Sequence, residues 1–183
     1  MNDQSQGDRQ KTNWYVITGG PGSGKTTTIN LLKARGYKTT IEHARHYIDT
    51  QLVTGKTVEE IRKNQEAFQL NVLKMQVEQE ASLSPEDVVF LDRAIPDALA
   101  YYRFLHLPKD EQLTEAIKKV SYKKVFVLEC LPLIKDYARR EDEAAQKSIQ
   151  ELVIDVYSSL HFPLVRVPVL PPEERVDFIL NNL

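Results

Sequence analysis

One segment of the sequence has the residue types and the spacing of a phosphate-binding loop. Residues 19–26 read GGPGSGKT and match the pattern GxxxxGK[ST] in full. They follow a short β-prone run, Trp14 to Thr18, and precede a predicted helix, which is the context in which this pattern binds phosphate. Glycines let backbone N–H groups turn inward around a phosphate chain, and the helix N-terminus adds partial positive charge. The segment predicts a nucleoside-triphosphate site rather than a turn that binds nothing.

The lysine and the threonine of this loop have separate predicted roles. Lys25 reaches the β- and γ-phosphates, and the hydroxyl of Thr26 binds Mg²⁺, so ATP and Mg²⁺ are the expected ligands. The predicted nucleotide-binding residues are Gly19, Gly20, Pro21, Gly22, Ser23, Gly24, Lys25, Thr26 and Thr27.

An aspartate at the end of another buried strand completes the predicted magnesium site. Val88 to Asp92 read VVFLD, a continuous apolar run that ends in an acid. A lone aspartate in that place can also be a turn or cap residue, but the phosphate loop favours the metal role. The next residue is Arg93, whereas many motor-type ATPases have a glutamate there that polarises water. A cation suits the binding of an anionic substrate better than the activation of water.

Two further acids are candidates for the acceptor side of the site. Glu42 follows the second predicted strand, so it belongs to the same sheet edge as the phosphate loop, where a carboxylate can act as general base. The alternative is a surface glutamate paired with Arg45. Asp97 starts a predicted helix, and its interpretation as a helix cap is stronger than a substrate contact.

A charge-dense segment, residues 133–143, is predicted to be a lid. Arg139 and Arg140 lie in it, between the fourth strand and a long helix. Arginines there can close over phosphates and spread the charge of the transition state. The alternative is a solvated run in which they pair with Glu141, Asp142 and Glu143.

Strands and helices alternate along the chain, which predicts an α/β fold. The strands are predicted at 14–18, 37–41, 88–92, 124–128 and 164–169. The expected architecture is a P-loop NTPase three-layer sandwich, with about five mostly parallel strands, helices on both faces and a small lid. Residues 1–13 are expected to be disordered, and residues 14–183 to form one domain.

One long helix is predicted from the cap residue Thr57 to about Ser84. Ile61, Phe68, Val72 and Met75 recur at helical spacing and predict one buried face. The opposite face is rich in Gln and Glu, which we interpret as solvated surface.

Composition limits the class of protein. The 183 residues have a formal net charge of −2 and a single cysteine, Cys130, so an intrachain disulfide and a cysteine-based zinc site are excluded. No apolar run approaches the roughly 18–20 residues of a membrane-spanning helix, and a cytoplasmic protein is expected. Nucleic acid is not expected as a partner, because the composition shows no concentrated positive charge.

The chain resembles the NadR/Ttd-type AAA domain family, small P-loop proteins close to the nucleoside and nucleotide kinases. The resemblance runs from about Trp14 to Leu180 and is strongest in VVFLDRAIPDALAYY, in EHAR at 42–45 and in the pattern RREDEAAQ…VYSSLHFPLVRVPVLPPEERVDFIL. It implies that Lys25 and Thr26 bind phosphate and magnesium. It further implies that Asp92 and Arg93 form the strand-end motif and that Arg139 and Arg140 lie in the lid. Members differ in activity, so the family leaves the substrate open.

The expected function is a Mg²⁺-dependent kinase that transfers the γ-phosphoryl group of ATP to a small nucleoside- or nucleotide-like acceptor. The residues predicted to perform catalysis are Lys25, Glu42, Asp92, Arg93, Arg139 and Arg140. The alternative is a nucleotide-binding switch or slow NTPase that acts through a protein partner. The absence of an [NT]KxD motif and of a glutamate after Asp92 favours the kinase. A kinase of nucleic-acid ends would need a basic groove.

Overall fold

A computed structural model describes residues 9–132 and 142–183, which fold around one parallel sheet. Its strands are β1 (Trp14–Thr18), β2 (Lys38–Thr39), β3 (Val89–Asp92), β4 (Lys124–Leu128) and β5 (Leu164–Val167). They lie in the order β2-β3-β1-β4-β5, and every pairing between neighbours is parallel. The predicted α/β class and the predicted sheet are confirmed.

Helices connect these strands, as parallel pairing requires. They are α1 (Lys25–Ala34), α2 (His43–Val53), α3 (Val58–Arg62), α4 (Gln65–Ser82), α5 (Ile95–Phe104), α6 (Glu111–Lys119), α7 (Glu143–Ser159) and α8 (Pro172–Leu180). Among the described residues, no helix combines the length and the apolar character needed to span a membrane.

The central strands are buried on both faces and send alternate side chains into two separate cores. Trp14 and Val16 of β1 lie in a core built with α4, α5, α6 and α7, whereas Tyr15 and Ile17 lie in a core with α1 and α8. This alternation is the two-residue period of a strand. Three layers follow from it, with the sheet in the middle.

The position of β1 determines where a ligand can bind. It lies between β3 and β4, and the chain leaves its carboxyl end through the phosphate loop into α1. The next strand, β2, lies beyond β3 on one side, while β4 and β5 lie on the other. A crevice opens where the strand order changes direction in this way, outside the carboxyl ends of the strands.

The single long helix predicted from Thr57 is wrong, because the structure has two helices there. The capping box between Thr57 and Glu60 starts α3 as expected. Asn64 then takes an extended conformation, and its side chain accepts the N–H of Ala67 at 3.0 Å. This second cap begins α4 in a new direction.

The interpretation of the Gln and Glu face of α4 as solvated surface is wrong for three of its residues, although Glu66 and Glu78 are exposed. Gln69, Gln76 and Glu80 are buried, with 7%, 6% and 6% of their surface exposed. The helix packs against both α2 and α5, so residues outside its apolar stripe are covered as well.

Several element boundaries differ from the sequence prediction. The second strand is limited to Lys38–Thr39, and Pro168 follows the last residue of β5. Helix α5 begins at Ile95, two residues before Asp97, because the Asp97 carboxylate accepts the N–H of Ala94 at 3.0 Å. In the segment expected to be disordered, the Thr12 hydroxyl donates to the carbonyl of Ser121 at 2.6 Å. Residues 1–8 lie outside the described residues.

Replacing Asn64 tests the second cap. Asn64→Ala removes the side-chain acceptor at the start of α4, so the free energy of unfolding should fall by about 1 kcal/mol. Urea denaturation measures it. Asn64→Asp keeps a capping oxygen and should stay within about 0.5 kcal/mol of the original. Equal stability of the Ala variant and the original would mean that tertiary packing alone sets this boundary.

Candidate active site

The phosphate loop leaves no room for side chains at its first glycines. Gly19 has φ +142°, and a Cβ there would lie 2.7 Å from the carbonyl oxygen of Leu128. Gly24 has φ +88° and forms the N-cap of α1. Both positions therefore need glycine, since a side chain would clash at the first and strain the backbone at the second.

The Lys25 side chain lies inside this loop and is hydrogen-bonded to it. Its buried ammonium donates to the carbonyl oxygens of Gly19 at 3.0 Å and Gly20 at 2.8 Å, and to the hydroxyl of Ser23 at 3.1 Å. Burial, with the nearby Arg93 charge, lowers the pKa of Lys25 to about 8. A triphosphate would favour the charged ammonium, so the loop offers a cation that an anionic ligand stabilises.

Two glutamines of α7 hold the loop from outside. The Gln150 amide oxygen accepts the N–H of Gly20, and its Nε2 donates to the Leu128 carbonyl at 3.1 Å. Gln146 Nε2 donates to the carbonyl of Pro21 at 2.6 Å. Side chains of α7 thus make the hydrogen bonds that these backbone groups of the loop do not make within a strand or a helix.

Arg175 of α8 supports the far end of the loop. Its buried guanidinium donates to three carbonyl oxygens, those of Ser23 at 2.5 Å, Glu129 at 2.8 Å and Pro168 at 3.1 Å. These carbonyls belong to the phosphate loop and to the segments after β4 and β5. One side chain therefore joins three connections at the carboxyl edge of the sheet.

Asp92 ends β3 and is buried next to Lys25. Its Oδ1 has no hydrogen-bond partner among the described residues, and its backbone N–H donates to the Thr40 hydroxyl at 2.9 Å. Burial raises the pKa of Asp92 to about 7, and the nearby Glu42 charge adds to the shift. A buried carboxylate oxygen without a donor is a position where a cation, or the water shell of one, would be stabilised.

Glu42 and Arg93 meet at the mouth of the loop. Glu42 is the N-cap residue of α2, and its Oε1 lies 3.8 Å from Nε of Arg93. Its other carboxylate oxygen lies 4.0 Å from Nε of Arg45, so the structure contains the Arg45 pair considered as the alternative. Arg93 has φ +62°, a strained conformation for a residue with a side chain, and its guanidinium lies 4.9 Å from the centre of the Tyr101 ring.

Asp97 has a structural role in this arrangement. One carboxylate oxygen accepts the hydroxyl of Thr18, and the other accepts the Ala94 N–H and, at 2.6 Å, the Tyr157 hydroxyl. Protein donors thus use both oxygens. The helix-start interpretation of Asp97 is supported, with Asp97 in the first turn rather than at the cap.

A cavity of about 310 Å³ extends from the phosphate loop between α2, α4 and α5. Its walls include residues predicted for the site: Pro21, Gly22, Ser23, Gly24, Lys25, Thr26, Glu42 and Arg93. The apolar part of the lining includes Ile48, Phe68, Val72, Leu73, Tyr101 and Phe104. Asp92 lies next to Lys25 but not in this lining, and Arg139 and Arg140 lie outside the described residues.

The sequence interpretation missed the polar residues of this cavity and the supports of the loop. Gln69 and Gln76 line the cavity, and Glu80 holds Gln76 through a hydrogen bond of 2.9 Å. The signal available in the sequence was their spacing, since Gln69, Gln76 and Glu80 follow Phe68 and Leu73 around one side of the helix. Nothing in the sequence singled out Arg175, which lies far along the chain from the loop.

Comparisons with known proteins identify a family and related folds. A family profile described as an AAA domain matches residues 14–175. No curated protein sequence matched the chain.

Several solved structures share the fold. A deoxyadenosine kinase from M. mycoides with dCMP and dCDP bound has a TM-score of 0.65 at 16% identity, over 92% of this chain and 97% of that one. A thymidylate kinase from Ehrlichia chaffeensis has a TM-score of 0.66 at 13% identity, over 94% and 98%. The NadR protein in complex with NR has a TM-score of 0.64 at 16% identity, over 93% of this chain and 51% of that one.

The raised pKa of Asp92 gives a stability prediction with a definite sign. Its folded pKa of about 7 exceeds the ordinary value of 3.8, so the fold loses stability as the pH rises from about 4 to 7, where the unfolded chain releases the proton and the folded chain keeps it. Asp92→Asn stays neutral and should be more stable than the original at pH 8, by about 1–4 kcal/mol. The difference should shrink toward pH 5. Asp87→Asn, at an exposed residue, is the control that should show no such trend. An Asn variant less stable at pH 8 would contradict the assignment.

Removing Arg175 should expose how much the loop depends on α8. Arg175→Met leaves three carbonyl oxygens without their donor, so we expect the free energy of unfolding to fall by about 2–4 kcal/mol in urea denaturation. Arg35 also joins α1 to α8, through surface ion pairs with Glu173 and Asp177. Arg35→Met should therefore cost about 1 kcal/mol or less. Equal losses in the two variants would show that Arg175 is an ordinary surface link.

Proposed function

Because the chain belongs to the AAA-domain family and has a ligand-sized cavity beside its phosphate loop, we propose that it is a kinase. It transfers the γ-phosphoryl group of ATP to a small nucleoside- or nucleotide-like acceptor. The cavity is the observation that carries this proposal. A volume of about 310 Å³, with an apolar part of the lining and polar side chains converging on the same space, is typical of a small-molecule site. It begins at Lys25 and Thr26, where the γ-phosphate would lie.

The nucleotide side of the proposed mechanism uses the loop, Lys25, Thr26 and Asp92. Lys25 exchanges its loop carbonyls for the β- and γ-phosphates and neutralises their charge. The exposed Thr26 hydroxyl and the unpartnered Asp92 Oδ1 would hold Mg²⁺ directly or through water. Bound there, the ion would supply positive charge to the phosphate oxygens. From the sequence alone, we propose that Arg139 and Arg140 add charge from the lid.

On the acceptor side, Glu42 and Arg93 have the proposed roles. The Glu42 carboxylate takes the proton of the acceptor hydroxyl as its oxygen attacks the γ-phosphorus. A bond from that oxygen to phosphorus forms, the bond from phosphorus to the β–γ bridging oxygen breaks, and ADP leaves. Arg93, fixed by Glu42 and the Tyr101 ring, positions the acceptor and the transferred group.

The structural neighbours support a nucleoside- or nucleotide-like acceptor. One is a deoxyadenosine kinase and another a thymidylate kinase. The cavity beside the phosphate loop favours a kinase over a nucleotide-binding switch, because a switch needs no pocket for a second small molecule.

Dependence of ATP turnover on an acceptor tests the proposal. ADP release is measured with Mg²⁺, with and without nucleosides and nucleoside monophosphates. Turnover should need an acceptor. Glu42→Gln should lower it by about 10²–10⁴-fold for a hydroxyl acceptor, because the general base is lost, while ATP still binds.

Two further variants make this experiment specific. Lys25→Ala removes the hydrogen bonds to Gly19, Gly20 and Ser23 but alters neither core beside the sheet, so it should stay folded and lose most nucleotide binding and turnover. Glu86→Gln, at an exposed glutamate, is the matched control and should behave as the original. Turnover at the same rate without any acceptor would instead support the slow NTPase. Unchanged nucleotide binding and turnover in a folded Lys25→Ala protein would contradict the site.

A further inference from the structure

Three hydrogen-bond donors converge on the buried carboxylate of Glu80. Gln76 Nε2 and the backbone N–H of Ile95 donate to Oε1 at 2.9 and 3.0 Å, and the Tyr122 hydroxyl donates to Oε2 at 2.8 Å. The three donors come from α4, from the start of α5 and from the segment before β4. Glu80 itself is not part of the cavity lining, so its effect on a ligand must pass through one of them.

Gln76 is the partner that lines the cavity. An ionised carboxylate only accepts hydrogen bonds, so the Gln76 amide must turn its NH₂ group toward Glu80. The amide is planar, and its carbonyl oxygen lies on the other side of the amide carbon. The amide atom of Gln76 that remains available to a ligand in the cavity is therefore its carbonyl oxygen, which is a hydrogen-bond acceptor.

Gln69 differs from Gln76 in this respect. It lies two helical turns earlier, is buried and lines the same cavity, but its side-chain amide makes no hydrogen bond to another described residue. Its amide can present either the oxygen or the NH₂ group to a ligand. Of these two glutamines, only Gln76 has an amide whose direction another side chain fixes.

We propose that Glu80 is a positioning residue that sets the specificity of the acceptor cavity. By fixing the Gln76 amide, it makes the cavity favour a ring with an exocyclic amino or carboxamide group, which can donate an N–H to the Gln76 oxygen. The matching ring with an oxygen at that position is disfavoured. This inference rests on the proposed function, because it names the acceptor that the same site takes.

The physical reason is the cost of an unpaired acceptor. An oxygen of the ligand placed against the Gln76 oxygen leaves two buried acceptors without a proton between them, whereas an amino group donates one. The mismatch should cost about 10- to 100-fold in affinity.

Ligand pairs in which an exocyclic amino or amide nitrogen is replaced by oxygen test the proposal. We would compare cytidine with uridine, adenosine with inosine, and nicotinamide riboside with nicotinic acid riboside. Phosphorylation is measured as kcat and KM, and binding as the shift in melting temperature. The pH is 8, above the Glu80 pKa of about 7 that burial produces. The original protein should prefer the N–H member in at least one pair by about tenfold or more, mainly through KM.

Two variants separate the positioning role from a structural one. Glu80→Gln keeps the shape but can donate as well as accept, so the Gln76 amide can turn and the preference should fall to about threefold or less. Tyr122→Phe removes another donor from the same carboxylate, keeps the Gln76 bond and should keep the preference. If Glu80→Gln does not fold, Gln76→Leu removes the acceptor directly and should abolish the preference.

Several results would overturn this inference. The original protein could show no preference, prefer the oxygen member, or bind neither member of any pair. The Glu80→Gln variant could keep the full preference. Failure of the proposed function looks different. The nucleosides would still bind with the expected preference, while no acceptor would be phosphorylated.

Discussion

A phosphate loop must turn its N–H groups toward the ligand, and its own backbone cannot then supply all the hydrogen bonds that hold it. In this chain, side chains on the inner and the outer side of the loop supply the missing hydrogen bonds. Lys25 takes up the inward carbonyl oxygens, while Gln146, Gln150 and Arg175 take up groups on the outer side. These three come from α7 and α8, so the shape of a loop near residue 20 depends on the last quarter of the sequence.

The same edge of the sheet concentrates charge in a poorly solvated place. Lys25 and Arg93 are opposed by Glu42 and Asp92, and burial shifts the pKa of Lys25 down and that of Asp92 up. Both shifts show that these charges are less stable here than in water. A magnesium triphosphate would stabilise Lys25 and Asp92 with one ligand of mixed charge. The strain at Arg93 belongs to the same arrangement, because the backbone there must leave β3 while its side chain stays beside Glu42.

The elements that carry a strong local signal were predictable from the sequence. The loop GGPGSGKT, the apolar strands and the acid at the end of β3 each depend on a few adjacent residues, and the order of strands and helices gave the fold class. Boundaries were less predictable where two signals compete. Ile61 and Phe68 continue one helical period across Lys63 and Asn64, yet the Asn64 cap divides the helix. The period shows which side is buried, not whether the axis is continuous.

The polar side of α4 shows why the cavity itself could not be predicted. Periodicity assigns residues to the core by hydropathy, and Gln, unlike Leu, has the hydropathy of a solvent-facing residue. A helix that forms one wall of a cavity also has residues that face the cavity. These residues are shielded from solvent, but they are not packed in the core. There a neutral amide can bind a ligand without the large desolvation cost of a charge. Gln69 and Gln76 occupy such positions, and only the packing of α4 against α2 and α5 distinguishes them from the exposed Glu78 of the same helix.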